Sequence, residues 1–122
     1  MAYEVHLKEF DGPLDLLLHL IEQAKVDIKD IFISEITNQY LSLMEELDEL
    51  DMDTASEFLT MAATLVYIKS RSLLPKPPKE AEEEEDPEEA LVRQLKEYKL
   101  FKQAGEKLNE LSAGMRGVFS RL

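Results

Sequence analysis

Residues 51–75, DMDTASEFLTMAATLVYIKSRSLLP, decide the fold class. Asp51 or Asp53 can cap a helix here, its carboxylate accepting from the free N–H groups of the first turn. Pro75 ends the helix, because it has no N–H and a fixed φ. Between them Phe58, Ala62, Leu65 or Val66, and Lys69 lie along one stripe. Met61, Leu65, Ile68 and Ser72 lie along an adjacent one. The spacing predicts a helix to about residue 73. Some twenty residues span roughly 30 Å, long for a small domain, and the apolar arc is wide. Met61 and Ile68 can therefore serve a core or a partner.

Upstream, Tyr3, Val5 and Leu7 alternate with Glu4, His6 and Lys8, which reads as a short strand or an extended lead-in. Asp11-Gly12-Pro13 then turns the chain. Gly12 permits a sharp turn, and Pro13 suits the first position of a helix, where no N–H is needed. A helix over about 13–25 follows. Leu14, Leu17, Leu18 and Ile21 form one stripe and Leu16 and Leu20 a second, so this helix must be buried on two sides. Ile28 and Ile31 anchor a connector, and Ser34 is placed to cap a second helix carrying Ile36, Tyr40, Leu43 and Leu47. Glu45, Glu46, Asp48 and Glu49 close that helix. Negative charge there opposes the helix dipole, so the helix depends on packing.

Downstream, Pro75-Lys76-Pro77-Pro78 is stiff and extended, and residues 80–89 are almost wholly acidic and self-repelling. A fourth helix follows over about 87–111. Leu91, Leu95, Tyr98, Phe101, Ala104, Leu108 and Leu111 recur at steps of three and four, with Arg93, Lys96, Lys99, Lys102 and Lys107 around them. Its stripe either folds back onto the first three helices or waits for a partner. Gly114 and Gly117 should loosen the tail.

The expectation is an all-α chain with three parts. They are a helical domain over 1–74 (about three helices, with the short N-terminal strand as an option), a Pro/Glu linker over 75–88, and a separate amphipathic segment over 89–122. Charge supports the division: the net charge is −10 over 1–74, −6 over 75–90 and +4 over 91–122. Hydrophobic residues make up 44% against 7% aromatics, with no Trp, which favours helices built on Leu, Ile, Ala and Met.

Chemistry is hard to find. There is no cysteine, which removes disulfides, thiolate nucleophiles and Cys-type metal sites and fits a reducing cytoplasm. His6 and His19 have no metal-ligand spacing, the few glycines make no phosphate-binding loop, and no nucleophile elbow occurs. The carboxylates lie in solvated runs, the opposite of a desolvated general acid. No catalytic, cofactor or metal residue is expected. No signal peptide is visible, and no apolar run approaches the roughly 20 residues of a membrane span. A net charge of −12 opposes sequence-general DNA binding.

Residues 10–21, FDGPLDLLLHLI, resemble the opening signature of the bacterial kleisin family of segregation and condensation protein A (ScpA). The likeness continues from Asp30-Ile31 through Gln39-Tyr40-Leu41, and the acidic linker and the helix with Leu95, Tyr98 and Phe101 also fit. It is reinforced by Phe58-Leu59, Met61-Ala62-Ala63 and residues 68–75, IKSRSLLP. The resemblance implies a non-catalytic adaptor that bridges SMC heads and recruits an ScpB dimer in chromosome condensation and segregation. DNA would be reached only through the complex, in the cytoplasm at the nucleoid and with no membrane contact. Residues 1–74 would dock on the SMC neck coiled coil, with Met61, Thr64, Leu65, Ile68 and Ser72 as the expected stripe. Residues 89–122 would begin the ScpB-binding segment, with Leu91, Leu95, Tyr98, Phe101 and Leu108 as its contacts. The family's C-terminal winged helix has no counterpart here, so the chain corresponds to the N-terminal half. The alternative reading is a helix-turn-helix-like DNA-binding module, suggested by short helices and a basic last segment.

Overall fold

The computed structural model describes residues 5–28, 35–73 and 86–119, with side chains through 114. Four α-helices fill them: α1 Pro13–Ala24, α2 Ile36–Leu43, α3 Met52–Ser72 and α4 Pro87–Phe119. Two 3-10 segments, Leu7–Glu9 and Met44–Glu49, precede α1 and follow α2. The described residues are all-α. Where a short strand was one option, His6 is extended but Leu7–Glu9 is a 3-10 turn that buries Leu7. Tyr3, Ile31, the Ser34 cap and the linker from 74 to 85 fall outside the described residues.

α1 is the centre. Gly12 precedes it with φ +115°, a conformation that an L side chain rarely adopts, and Pro13 occupies the first turn. In that turn the Asp15 carboxylate accepts from the Asp11 N–H at 3.0 Å and locks the approach. Lys25 ends the helix in the left-handed region at φ 57°, a position more often given to glycine. Leu16, Leu17, Leu18, Leu20 and Ile21 are all buried, so α1 is covered on both expected sides, packed by α2, α3 and α4.

α2 stops early. Its continuation tightens into the 3-10 segment, where Glu45, Glu46, Asp48 and Glu49 meet the negative helix end. The altered twist keeps Leu43, Met44, Leu47 and Leu50 against the core. Tyr40 is fully buried, and its hydroxyl donates to the Phe58 carbonyl at 2.8 Å, tying α2 to α3. Burial pushes that phenol well above its ordinary pKa.

Asp51 is the cap of α3, its Oδ1 accepting from the Thr54 N–H at 2.7 Å. The helix turns Phe58, Ala62, Leu65 and Ile68 inward.

Asp86 starts α4, accepting from the Glu88 N–H at 3.2 Å and meeting Arg71 of α3 at 3.4 Å. The segment expected to stand apart therefore shares the core: Leu91 and Leu95 lie in the same buried cluster as α1, α2 and α3. α4 also outruns its expected end at 111. Its backbone stays helical to Phe119, past Gly105 and Gly114, giving 33 residues and a length of about 50 Å.

Candidate docking surfaces

Among the described residues, two exposed apolar faces remain after the core is formed. The first is on α3, turned away from Phe58, Ala62 and Leu65. Met52, Leu59, Val66 and Leu73 recur every seven residues and are between 47% and 86% exposed. Ser56, Ala63 and Ser70, also exposed, sit between them. The sequence 52, 56, 59, 63, 66, 70, 73 steps by four and three throughout, the spacing of a coiled-coil seam. It spans about 31 Å. Asp53 borders its start, while Glu57 faces the cleft between α3 and α4. Lys69 and Arg71 border its end, the first bonded to Asn38 Oδ1 at 2.9 Å and the second lying over the Tyr67 ring at 5.9 Å.

The stripe expected for SMC is distributed differently. Leu65 and Ile68 are 1% and 2% exposed and belong to the core. Met61 and Thr64 are half-buried and line a cleft of about 580 Å³ between α3 and α4, walled by Pro13, Leu14 and Leu91. Ser72 is exposed, its hydroxyl donating to the Lys69 carbonyl at 2.7 Å. These five residues do not share a free face. The outer seam is visible in the sequence as a seven-residue recurrence of Met, Leu, Val and Leu. The inner stripe masks it, being richer in large apolar residues.

The second face is the outer half of α4. Of the residues expected for ScpB, Leu91 and Leu95 are in the core and Tyr98 is half-buried. Phe101 and Leu108 are 75% and 65% exposed. They continue through Ala104 and Leu111 at steps of three, four and three, with Leu100 alongside.

An ion pair marks the boundary between the halves. Lys102 Nζ donates to Asp15 Oδ1 at 2.8 Å. Burial alone would raise the pKa of Asp15. The bonds from Lys102 and the Asp11 N–H, with the nearby ammonium charge, outweigh it and hold the carboxyl below its ordinary value. The bond to Asp15 raises the pKa of Lys102 in turn. Beyond this pair every side chain from 103 to 111 is exposed.

Both histidines have local roles. His6 Nδ1 lies 3.1 Å from Glu46 Oε1, and the His19 ring packs tilted on Phe10 with centroids 5.1 Å apart. Among the described residues, no group of three or more His, Asp or Glu side chains is placed to hold a metal ion. No described helix is long and apolar enough to cross a membrane.

Comparison with known proteins gives a consistent result. The family model for segregation and condensation protein ScpA matches residues 20–122. The chain is 50% identical over 129 aligned positions to segregation and condensation protein A of Brevibacillus brevis, covering 99% of this chain and 51% of that protein. It is 52% identical to the protein of the same description from Listeria innocua, covering 94% and 48%. With that of Bacillus licheniformis the identity is 47%, covering 99% and 51%. The chain thus spans about half the length of the curated relatives it matches.

Proposed function

The chain belongs to the family of segregation and condensation protein A, and on that footing we propose that it is a non-catalytic adaptor in chromosome segregation and condensation. It docks one apolar face on the SMC neck and offers another to ScpB. It works in the cytoplasm at the nucleoid and reaches DNA only through these partners. The single observation that carries the reading is the outer seam of α3. A run of apolar and small residues at 3.5-residue spacing, bare over about 31 Å, suits a partner that is itself a coiled coil. Fully burying each large side chain of the seam would contribute about 1.5–3 kcal/mol. The outer half of α4, with Phe101 and Leu108, is the proposed ScpB face, whereas Ser72 continues the inward stripe of Leu65 and Ile68 and is left out of the proposed SMC face.

The test is co-elution of the chain with an SMC head that retains its proximal neck, and separately with ScpB. Leu59→Asp and Val66→Asp should each abolish the SMC complex and leave the fold intact. Phe101→Asp and Leu108→Asp should abolish only the ScpB complex. A charge at Ile68 would test the fold rather than the face, because that side chain is in the core. Absence of any complex with folded wild-type chain at micromolar concentration would sink the proposal.

A further inference from the structure

We infer that the cleft between α3 and α4 receives an arginine-bearing apolar helix of a partner protein. The inference stands apart from the docking faces proposed above: among the described residues, Ser56 alone belongs to both the cleft and the outer seam of α3. The cleft holds about 580 Å³, more than one side chain fills. Its apolar surface comes from Pro13 and Leu14 of α1, Met61 of α3, and Ala90 and Leu91 of α4. A groove walled by neighbouring helices takes the apolar stripe of a further helix. The polar groups of the cleft then select what that helix carries.

Those groups are mostly acceptors. The Thr60 hydroxyl donates to the Ser56 carbonyl at 2.8 Å, and the Thr64 hydroxyl donates to the Thr60 carbonyl at 3.2 Å. Both hydrogens are spent on the helix itself, so each oxygen has only lone pairs left to offer. Glu57 adds a carboxylate, the one charged side chain lining the cleft among the described residues. Ser56 and Gln94 can donate or accept. Helix starts ordinarily attract anions, but the two beside this cleft are blunted. Pro13 and Pro87 have no N–H, and the Asp86 side chain takes the Glu88 N–H at 3.2 Å. From Met44 to Ile68 the chain carries seven Asp or Glu and no Lys or Arg. An apolar bed with acceptors and negative charge along one side fits an aliphatic stem that ends in a cation. Arginine suits it better than lysine, because its planar fork can bond a carboxylate and a hydroxyl at once.

Methyl NMR of the whole chain tests this with two kinds of probe. n-Butylguanidinium, which copies the arginine side chain, should shift the methyls of Thr60, Met61, Thr64 and Leu91, and butyrate should not. Equal shifts with butyrate overturn the charge preference. An amphipathic Ala/Leu helical peptide with one arginine beside its apolar stripe should shift the same methyls. It should bind about fivefold more tightly than the same peptide with glutamine in place of the arginine. Equal affinity overturns the role of the arginine. Shifts with butylguanidinium but none with the peptide overturn the partner helix and make a small organic cation the occupant. Glu57→Gln should erase the fivefold difference, and Glu57→Lys should make the chain prefer butyrate; a difference that survives Glu57→Gln overturns the role of Glu57. Thr60→Trp, at an exposed position, should fill the cleft and abolish every shift. Gln94→Trp fills it from α4 if the first variant does not fold. Shifts that persist with the cleft filled overturn the site.

Discussion

The inner and outer halves of α4 carry the same rhythm of apolar residues and meet opposite fates. Leu91 and Leu95 are sealed against α1 and its neighbours, whereas Leu100, Phe101, Leu108 and Leu111 are all more than half exposed. Nothing in the spacing separates the two groups. What separates them is the length of α1 and α3, which cover only the first turns of a helix about 50 Å long. Periodicity records that a helix has an apolar side. The surface that covers it is a property of other elements.

The comparison breaks most easily at Leu95. Leu95→Ala removes a fully buried side chain and should cost about 2–5 kcal/mol in urea unfolding, while Leu108→Ala should stay within about 0.5 kcal/mol. Equal losses would mean that the outer half is covered too. Next comes the boundary. Lys102→Ala leaves the buried Asp15 carboxylate without its cation and should cost about 1–3 kcal/mol, with faster amide exchange in the inner half of α4. Asp15→Asn should loosen the same turns.

The boundary also titrates. The folded pKa of Asp15 is depressed, so its contribution is fully present above the ordinary Asp value near 3.9 and is lost as pH falls through the lower folded value. Lys102 is raised, so its part is fully present below about 10.4 and is lost as pH climbs through the folded value. Exchange protection in the inner half should be flat through neutrality and decline below about pH 4. A decline centred near neutrality would assign the effect to another group.

The smallest expected effect lies in the outer half. Gly105 has open space where a methyl group would sit, and its φ is not positive. Gly105→Ala should therefore add helix content worth about 0.5–1 kcal/mol locally, seen by circular dichroism, with little change in the unfolding midpoint. A matching rise in the midpoint would show that the two halves melt as one unit.

Much of the fold was legible because single residues punctuate it. Gly12-Pro13 opens α1, Asp51 caps α3, and the apolar circumference of α1 foretold burial on both sides. The tightening of α2 into a 3-10 segment was foreshadowed only as weakness at an acidic end. The candidate surfaces were less legible for one physical reason: on α3 and α4 the sequence offers two apolar sets each, and neither carries a mark of which is inside. Leu65 and Ile68 went to the core of the chain itself, as did Leu91 and Leu95, leaving Leu59, Val66, Phe101 and Leu108 outside.

The bond between Asp15 and Lys102 joins positions 87 apart in the chain, and this matters on the ribosome. Synthesis delivers α1 first and the residues that cover its flank last. At roughly 5–20 residues per second, about 4–16 s separate the end of α1 from the arrival of Lys102. During that interval α1, the most apolar of the described helices, has a bare side. Completion of the core is thus timed by translation, and the nascent chain presents α1 to chaperones before it can present α3 or α4 to anything else.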